Sequence, residues 1–329
     1  MAQVEIIIPN WNGRELLRAC LDSLRAQTYP DFKIIVVDNA SSDGSVEFLQ
    51  RHYPEVELLE LPENRGFAGG INAGIRAGTA PYLCWFNNDA EAAPDFLEKL
   101  LNELIKVEGK GFGFAAPRIC LHSDHNTLNS AGIFIGQDGI ARERGFLRPN
   151  AAPYDQPQEV FGPAGAAALF RRELFERTGL LDEDYFMYGD EDDLSYRAQL
   201  LGYRCLYVPG AVAYHQVSAS SRKVRPQTAQ RASRNSLTTI LKNMPLPLVL
   251  AYSPAIITGQ FYQLARFGQQ GVFIPALMGK LDAMRLLAQT LKKRHIVQKT
   301  RLISLTDFRA RLKLGRNLPR FLETRLKGH

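Results

Sequence analysis

Over the first ninety residues, short β-branched apolar runs alternate with stretches whose apolar positions recur three and four apart. Residues 4–8 form the first run and stop at Pro9; residues 15–26 carry Leu16, Leu17, Cys20, Leu21 and Leu24 at helical spacing. Residues 33–37 form a second run. It ends in Asp38-Asn39-Ala40-Ser41-Ser42-Asp43-Gly44-Ser45, and a helical pattern covers 46–52. A third strand, 56–61, leads into a glycine-rich stretch, 63–70, and a helix over 71–77. The next run is the centre of the chain, Tyr82-Leu83-Cys84-Trp85-Phe86 followed by Asn87-Asn88-Asp89. Repeated βα units with short polar loops predict a mostly parallel α/β sheet flanked by helices. Right-handed crossovers put all the polar loops on one edge, so Asp38, the 64–70 loop and Asp89 converge on one cleft.

A helix is predicted over 92–107, with Pro94 in its first turn. The pattern then loosens into strand-like pieces at 112–116 and 132–136, read as the acceptor-side half of the same domain. Residues 162–168 are small enough for close backbone approach, and a helix starting near Leu174 ends at Gly179. The run Asp190-Glu191-Asp192-Asp193 opens another helix, with Leu194, Ala198 and Leu201 as its apolar stripe and Gly202 as its stop. Short strands follow at 205–208 and 211–214, then His215. Residues 218–234 are polar and basic, suited to a linker or to a flap over a diphosphate. No residue in 243–265 is charged, yet Pro245, Pro247 and Pro254 interrupt the run, which predicts a segment lying in a membrane interface rather than crossing it. Beyond it, Leu281, Met284, Leu287, Ala288 and Leu291 share a helical face beside Lys280, Arg285, Lys292, Lys293 and Arg294.

Charge sharpens this division. Residues 1–215 hold 19 Lys and Arg against 31 Asp and Glu, whereas residues 216–329 hold 21 against 3. A basic tail of this kind fits an anionic surface, membrane or nucleic acid. The expected organisation is therefore a catalytic unit over 1–240 and a helical basic extension over 241–329. The four cysteines are far apart and suit reduced thiols, and the opening residues carry no basic-then-apolar leader, so a cytoplasmic location is expected. A nicotinamide enzyme is disfavoured, because Gly66, Gly69, Gly70 and Gly74 do not make the dinucleotide fingerprint. A nucleic-acid binder is disfavoured as well, because the tail does not interleave aromatics with its charges.

Asp89 stands where a metal or phosphate could be met; helix capping by Asn88 and Asp89 is the competing explanation. The acidic run is a general-base candidate, because crowded carboxylates raise one another's pKa, while Asp193 can pair with Arg197 one turn on. His215, at a strand end in a chain with a candidate metal carboxylate, is read as a second ligand.

Taken in order, these motifs resemble the inverting family 2 glycosyltransferases of GT-A fold, in particular the bacterial rhamnosyltransferase-like branch, over residues 4–243. Ile8-Pro9-Asn10-Trp11-Asn12 and Val36-Val37-Asp38-Asn39 look like the family's nucleotide-binding loops, and Asp38 matches the carboxylate that contacts the base. Asn64-Arg65-Gly66 through Asn72 is similar to a further signature. Asn87-Asn88-Asp89 stands in the place of the metal-binding Asp-x-Asp, with one carboxylate left. The resemblance implies donor contacts from Pro9, Asn10, Asp38, Asn64, Arg65, Gly66, Asn72 and Asn88, and Mg²⁺ or Mn²⁺ on Asp89 and His215. It puts the base on Glu191, with Asp190 as the alternative, and matches Arg234-Asn235 to a recurrent pair. It further implies transfer from a nucleotide-diphosphate sugar, dTDP-rhamnose or a UDP-sugar, to a hydroxyl of a lipid-linked or polysaccharide acceptor. The place expected for such work is the cytoplasmic face of the inner membrane. A nucleotide-sugar-binding protein without turnover is the rival, but it would have no use for the acidic run.

Overall fold

The computed structural model describes residues 2–216 and 225–313. Strands β1 (Val4–Asn10), β2 (Phe32–Asp38), β3 (Glu57–Glu60) and β4 (Tyr82–Phe86) run parallel in the order β3-β2-β1-β4. Helices α1 (Arg14–Arg25), α2 (Ser45–His52) and α3 (Gly66–Ala77) make the crossovers. The runs are apolar at nearly every position because both faces are covered. Ile6 and Ile8 pack with Leu17, Leu21 and Leu24, whereas Ile7 and Val37 pack with Ala68 and Ile71. With β2 on one side of β1 and β4 on the other, strand order reverses at β1, and a crevice opens at its carboxyl end.

Helix α3 begins at Gly66 rather than at Ile71, and this changes what its glycines do. A Cβ on Gly74 would lie 2.4 Å from Ile7 Cγ2, and one on Gly70 3.0 Å from Pro9 Cβ. These glycines bring α3 down onto β1.

The sheet then becomes mixed. It continues through β5 (Ala90–Ala92), β6 (Phe112–Leu121), β7 (Asp124–Ser130), β10 (Gln158–Val160), β11 (Ala167–Arg171) and β12 (Arg204–His215). Among the described residues it has ten strands; β11 lies antiparallel between β4 and β6, and β12 is parallel to β6. Strands β8 (Ile133–Ile135) and β9 (Ala141–Glu143) form a separate ribbon. Two expectations are corrected here. The pieces at 205–208 and 211–214 are one strand, with its register shift between Val208 and Val212, around Pro209-Gly210. The helix expected from residue 92 is α4 (Phe96–Lys106), with Asp95 at its N-cap position, because residues 90–92 pair with β12 instead. Asn88 and Asp89 are therefore not its cap.

Helices α5 (Arg172–Thr178) and α6 (Asp190–Leu200) follow β11, and α7 (Pro226–Asn243), α8 (Leu246–Ala251), α9 (Ser253–Gln269), α10 (Phe273–Arg285), α11 (Leu287–Thr300) and α12 (Leu305–Lys313) follow β12. Much of the stretch read as a linker or flap is thus helix α7, and its remainder, with Arg222 and Lys223, lies outside the described residues. Position 240 falls inside α7. Lys242 on α7 pairs with Asp182 at 2.7 Å and Asp193 at 2.8 Å, and Lys293 on α11 pairs with Asp182 and Asp184 at 2.5 Å each. Among the described residues no helix is long and apolar enough to cross a membrane.

Candidate active site

The carboxyl ends of β1, β2 and β4 are tied together by side chains. Asn10, at the end of β1, donates to Asp38 Oδ1 at 3.1 Å and accepts from Asn88 Nδ2 at 2.8 Å. Asp38 is buried, and its other oxygen accepts the Ser41 N–H at 2.8 Å, which folds the loop after β2. Asn39, which the sequence did not single out by itself, accepts the Arg65 N–H at 3.2 Å. Trp11, directly after Asn10, stands 55% exposed, and its signal was its place within a polar loop directly after a strand.

The structure places Asp89 against His215. Ala90 pairs with His215 across β5 and β12, which brings His215 Nε2 to 3.2 Å from Asp89 Oδ1. Asp89 Oδ1 nevertheless has no hydrogen-bond partner, although it is shielded from solvent. His215 Nδ1 lies 2.8 Å from Asn129 Oδ1, so with that amide oxygen as acceptor the proton sits on Nδ1 and Nε2 presents its lone pair. Two lone-pair donors side by side without a hydrogen bond between them suit a cation, and a second partner fixing the imidazole is the usual support for a ligating histidine. Among the described residues no group of three or more His, Cys, Asp or Glu side chains is arranged to hold a metal. The residues fit a hard divalent ion that takes most of its ligands from phosphate oxygens and water.

The remaining predicted donor contacts divide. Pro9 and Asn64 are half-buried near the crevice, and Asn64 Oδ1 accepts the Gly66 N–H at 2.8 Å. Arg65 pairs with Glu183. Gly66 and Asn72 are withdrawn from the crevice. A Cβ on Gly66 would lie 2.2 Å from the Phe186 carbonyl oxygen, and buried Asn72 exchanges hydrogen bonds of 2.9 Å with Leu181 N–H and C=O while also donating to Glu183. Both fasten α3 to the segment ahead of α6 and present no free polar group to a ligand.

Four adjacent acids at the start of α6 meet four environments. Asp193 is ion-paired with Arg197 and Lys242; burial pushes its pKa up, but the two cations outweigh that and hold it well below the carboxylate range. Asp190 is 1% exposed, Oδ2 has no partner, and burial, then the neighbouring Glu191 charge, push its pKa well above the carboxylate range. Burial and the charges of Glu191, Glu143 and Asp193 raise Asp192 in the same way. Glu191 is half-buried, accepts the Gly189 N–H at 3.0 Å and faces Gly165, where a Cβ would lie 3.3 Å from its Oε1. Gly165 adjoins Ala166, whose carbonyl accepts the Asn87 N–H at 2.9 Å, so Glu191 looks toward the strand end that carries Asp89.

Glu143, on β9, escaped the sequence reading because no local signal links it to residues 190–193. Burial first, then the charge of Glu191, push its pKa up to about 8, and its Oε2 lacks a partner. An acid held neutral in the folded state loses stability as pH rises, because unfolding then releases its proton. Thermal unfolding should therefore show a fall in Tm from pH 5 to pH 8 that Glu143→Gln reduces by roughly 4 °C. An unchanged slope would mean that Glu143 ionises normally.

The segment between the 181–183 turn and α6 is held by α7. Phe186 and Tyr188 have φ of 64° and 69°, costly for non-glycine residues. Asn235 Nδ2 donates to the carbonyls of Tyr185, Met187 and Tyr188 at 3.1, 3.0 and 2.7 Å, and Arg234 donates to those of Asp184 and Tyr185 at 2.7 and 3.2 Å. The Arg234-Asn235 pair thus holds the main chain that leads into α6 and Glu191. Asn235→Asp keeps the acceptor for Arg234 Nε but removes the donors. It should speed amide exchange at 185–189 and lower kcat by about tenfold or more, with nucleotide affinity within about twofold. Unaltered exchange would mean that Asn235 does not hold this segment.

The chain belongs to glycosyl transferase family 2, whose profile matches residues 5–179. It is 28% identical over 231 residues to O-antigen biosynthesis protein RfbC of Myxococcus xanthus, covering 67% of this chain but only 18% of that relative. It is 28% identical over 223 residues to the amylovoran biosynthesis glycosyltransferase AmsB of Erwinia amylovora, covering 65% of this chain and 69% of AmsB. Among solved structures it resembles the mannosyltransferase PcManGT of Pyrobaculum calidifontis in complex with GDP-Man and Mn²⁺. The TM-score is 0.54 at 20% identity, over 96% of this chain and 88% of that one. It also resembles TarS of S. aureus, with a TM-score of 0.59 at 13% identity, over 95% and 55% of the two chains. The fold is GT-A, as in these structures.

Proposed function

We propose that this glycosyltransferase moves a sugar, with inversion, from a nucleotide-diphosphate donor of the dTDP-rhamnose or UDP-sugar type to a hydroxyl of a lipid-linked or polysaccharide acceptor in cell-surface glycan synthesis. The observation that carries the reading is the Asp89–His215 pair, 3.2 Å apart without a hydrogen bond, at the carboxyl edge where Asn10, Asp38 and Asn88 are linked. Bound there, Mg²⁺ or Mn²⁺ would neutralise the charge building on the leaving diphosphate. Asp89 and His215 hold the cation; Trp11, Pro9, Asn64 and Arg65 flank the nucleotide. Asp38 shapes the loop against which the base rests, since both its oxygens are bonded within the protein. Glu191 takes the proton of the acceptor hydroxyl as the acceptor attacks the face opposite the diphosphate. Inversion needs no covalent sugar–enzyme stage, which leaves Glu191 a base and not a nucleophile.

Support for the donor class and the ion comes from the neighbour holding GDP-Man and Mn²⁺, and support for a polysaccharide acceptor from the relatives named for O-antigen and amylovoran synthesis. The basic helical extension from residue 241 is assigned to the anionic cytoplasmic surface of the inner membrane, where a lipid-linked acceptor would be met. Incubation with nucleotide sugars and Mn²⁺ or Mg²⁺ tests the reading. Nucleoside diphosphate should be released slowly to water and faster with acceptor lipid. No release with any donor, beside a nucleotide-dependent rise in Tm, would mark a binding protein without turnover.

A further inference from the structure

Between α8 and the α11–α12 corner lies an open groove of about 550 Å³, which shares no lining residue with the proposed active site. Its cationic lining is Arg294, Lys299 and Arg301, with His295 beside them, and its apolar wall is Pro245, Leu246, Pro247, Leu291 and Leu305; no carboxylate lines it. Arg294 is fixed in place, donating to the carbonyls of Leu241 and Met244 at 2.8 and 2.7 Å, which also caps the end of α7. Lys299 and Arg301 have no carboxylate partner among the described residues. The apolar wall is open to solvent: Leu246 is 57% and Leu291 48% exposed, and Leu250, Ile296 and Leu302, close by in sequence, are exposed as well. Solvated charges do not need greasy walls, and a protein-packing face does not need unpaired cations.

The geometry points to this groove as a seat for the phosphate headgroup of an anionic membrane lipid. The cations meet the phosphate, and the apolar wall meets the first methylenes of the acyl chains. A nucleic acid is the poorer occupant, since the apolar walls are aliphatic and the His295 imidazole is the one aromatic ring in the lining, short of a stacking platform for successive bases. No described helix can span a bilayer, so the groove would meet it from the surface. This inference rests on the membrane-surface reading above and places it on particular residues.

The test uses the full chain in sedimentation with vesicles of phosphatidylcholine alone or with added phosphatidylglycerol. The parent should bind the anionic vesicles. Lys299→Gln with Arg301→Gln should lower the partition coefficient by roughly tenfold or more. Lys106→Gln with Lys110→Gln removes the same charge from exposed positions at the end of α4 and in the turn after it, and should change it by less than about twofold. Donor hydrolysis in solution and Tm should be unchanged in both variants. Equal losses in the two would show attraction by net charge alone and overturn the groove. So would parent binding to phosphatidylcholine as strong as to anionic vesicles. If the parent binds neither vesicle while still hydrolysing donor, the membrane reading beneath the inference falls with it.

Discussion

Glu191→Gln lowers turnover by about two to four orders of magnitude while nucleotide affinity stays within about twofold, the signature of a group that acts on the acceptor's proton. Gln keeps the size of Glu191 and can still accept the Gly189 N–H, so the start of α6 is preserved and the lost function is proton acceptance. Its neighbours cannot substitute. Asp193 is consumed by Arg197 and Lys242, and Asp190 is shut away from solvent and driven toward its neutral form. Asp190→Asn should accordingly cost less than about tenfold in kcat and leave the fold intact, because a neutral amide replaces a group already biased to neutrality. Steady-state kinetics on both variants, with donor binding measured separately, decide the matter. If Asp190→Asn carries the large loss and Glu191→Gln does not, the base is Asp190.

What the sequence could say about α6 was limited by range. Asp193 with Arg197 is an i,i+4 pair and was visible; Lys242, which completes the same site from α7, has no local signature. The parallel strands were legible because burial on both faces leaves continuous β-branched runs, and Asp38 and Asp89 were placed correctly because parallel topology puts such loops on one edge. The glycines of α3 carried no such local signal: Gly66, Gly70 and Gly74 each answer a contact distant in sequence, with Phe186, Pro9 or Ile7. Residues 90–92 misled for a related reason: pairing with β12 overrode the helical continuation that Pro94 suggested. Asn129, Glu143 and the carbonyls held by Asn235 belong to the same class, since each matters through a partner more than 45 positions away.

The other large loss is expected of Asp89→Asn, which should cut metal-dependent transfer by about a thousandfold or more at matched Mn²⁺. The substitution isolates charge. Asn has nearly the same volume, Asp89 Oδ1 has no hydrogen bond to lose, and the main-chain bond from Gln216 N–H to the Asp89 carbonyl, 2.8 Å, is unaffected. The Tm should therefore stay within about 3 °C of the parent while the chain loses the one carboxylate of Asn87-Asn88-Asp89. His215→Ala should be milder, because a neutral ligand is removed and water can take its place. Asn129→Ala, which frees the imidazole to rotate or change tautomer, should weaken Mn²⁺ binding by about ten- to a hundredfold. That order, Asp89 above His215 above Asn129, is what a cation held by one carboxylate and one oriented imidazole requires. Titration of Mn²⁺ in the presence of nucleoside diphosphate reads it without relying on turnover. Parent-like Mn²⁺ affinity in Asp89→Asn would place the ion elsewhere, whatever became of the rate.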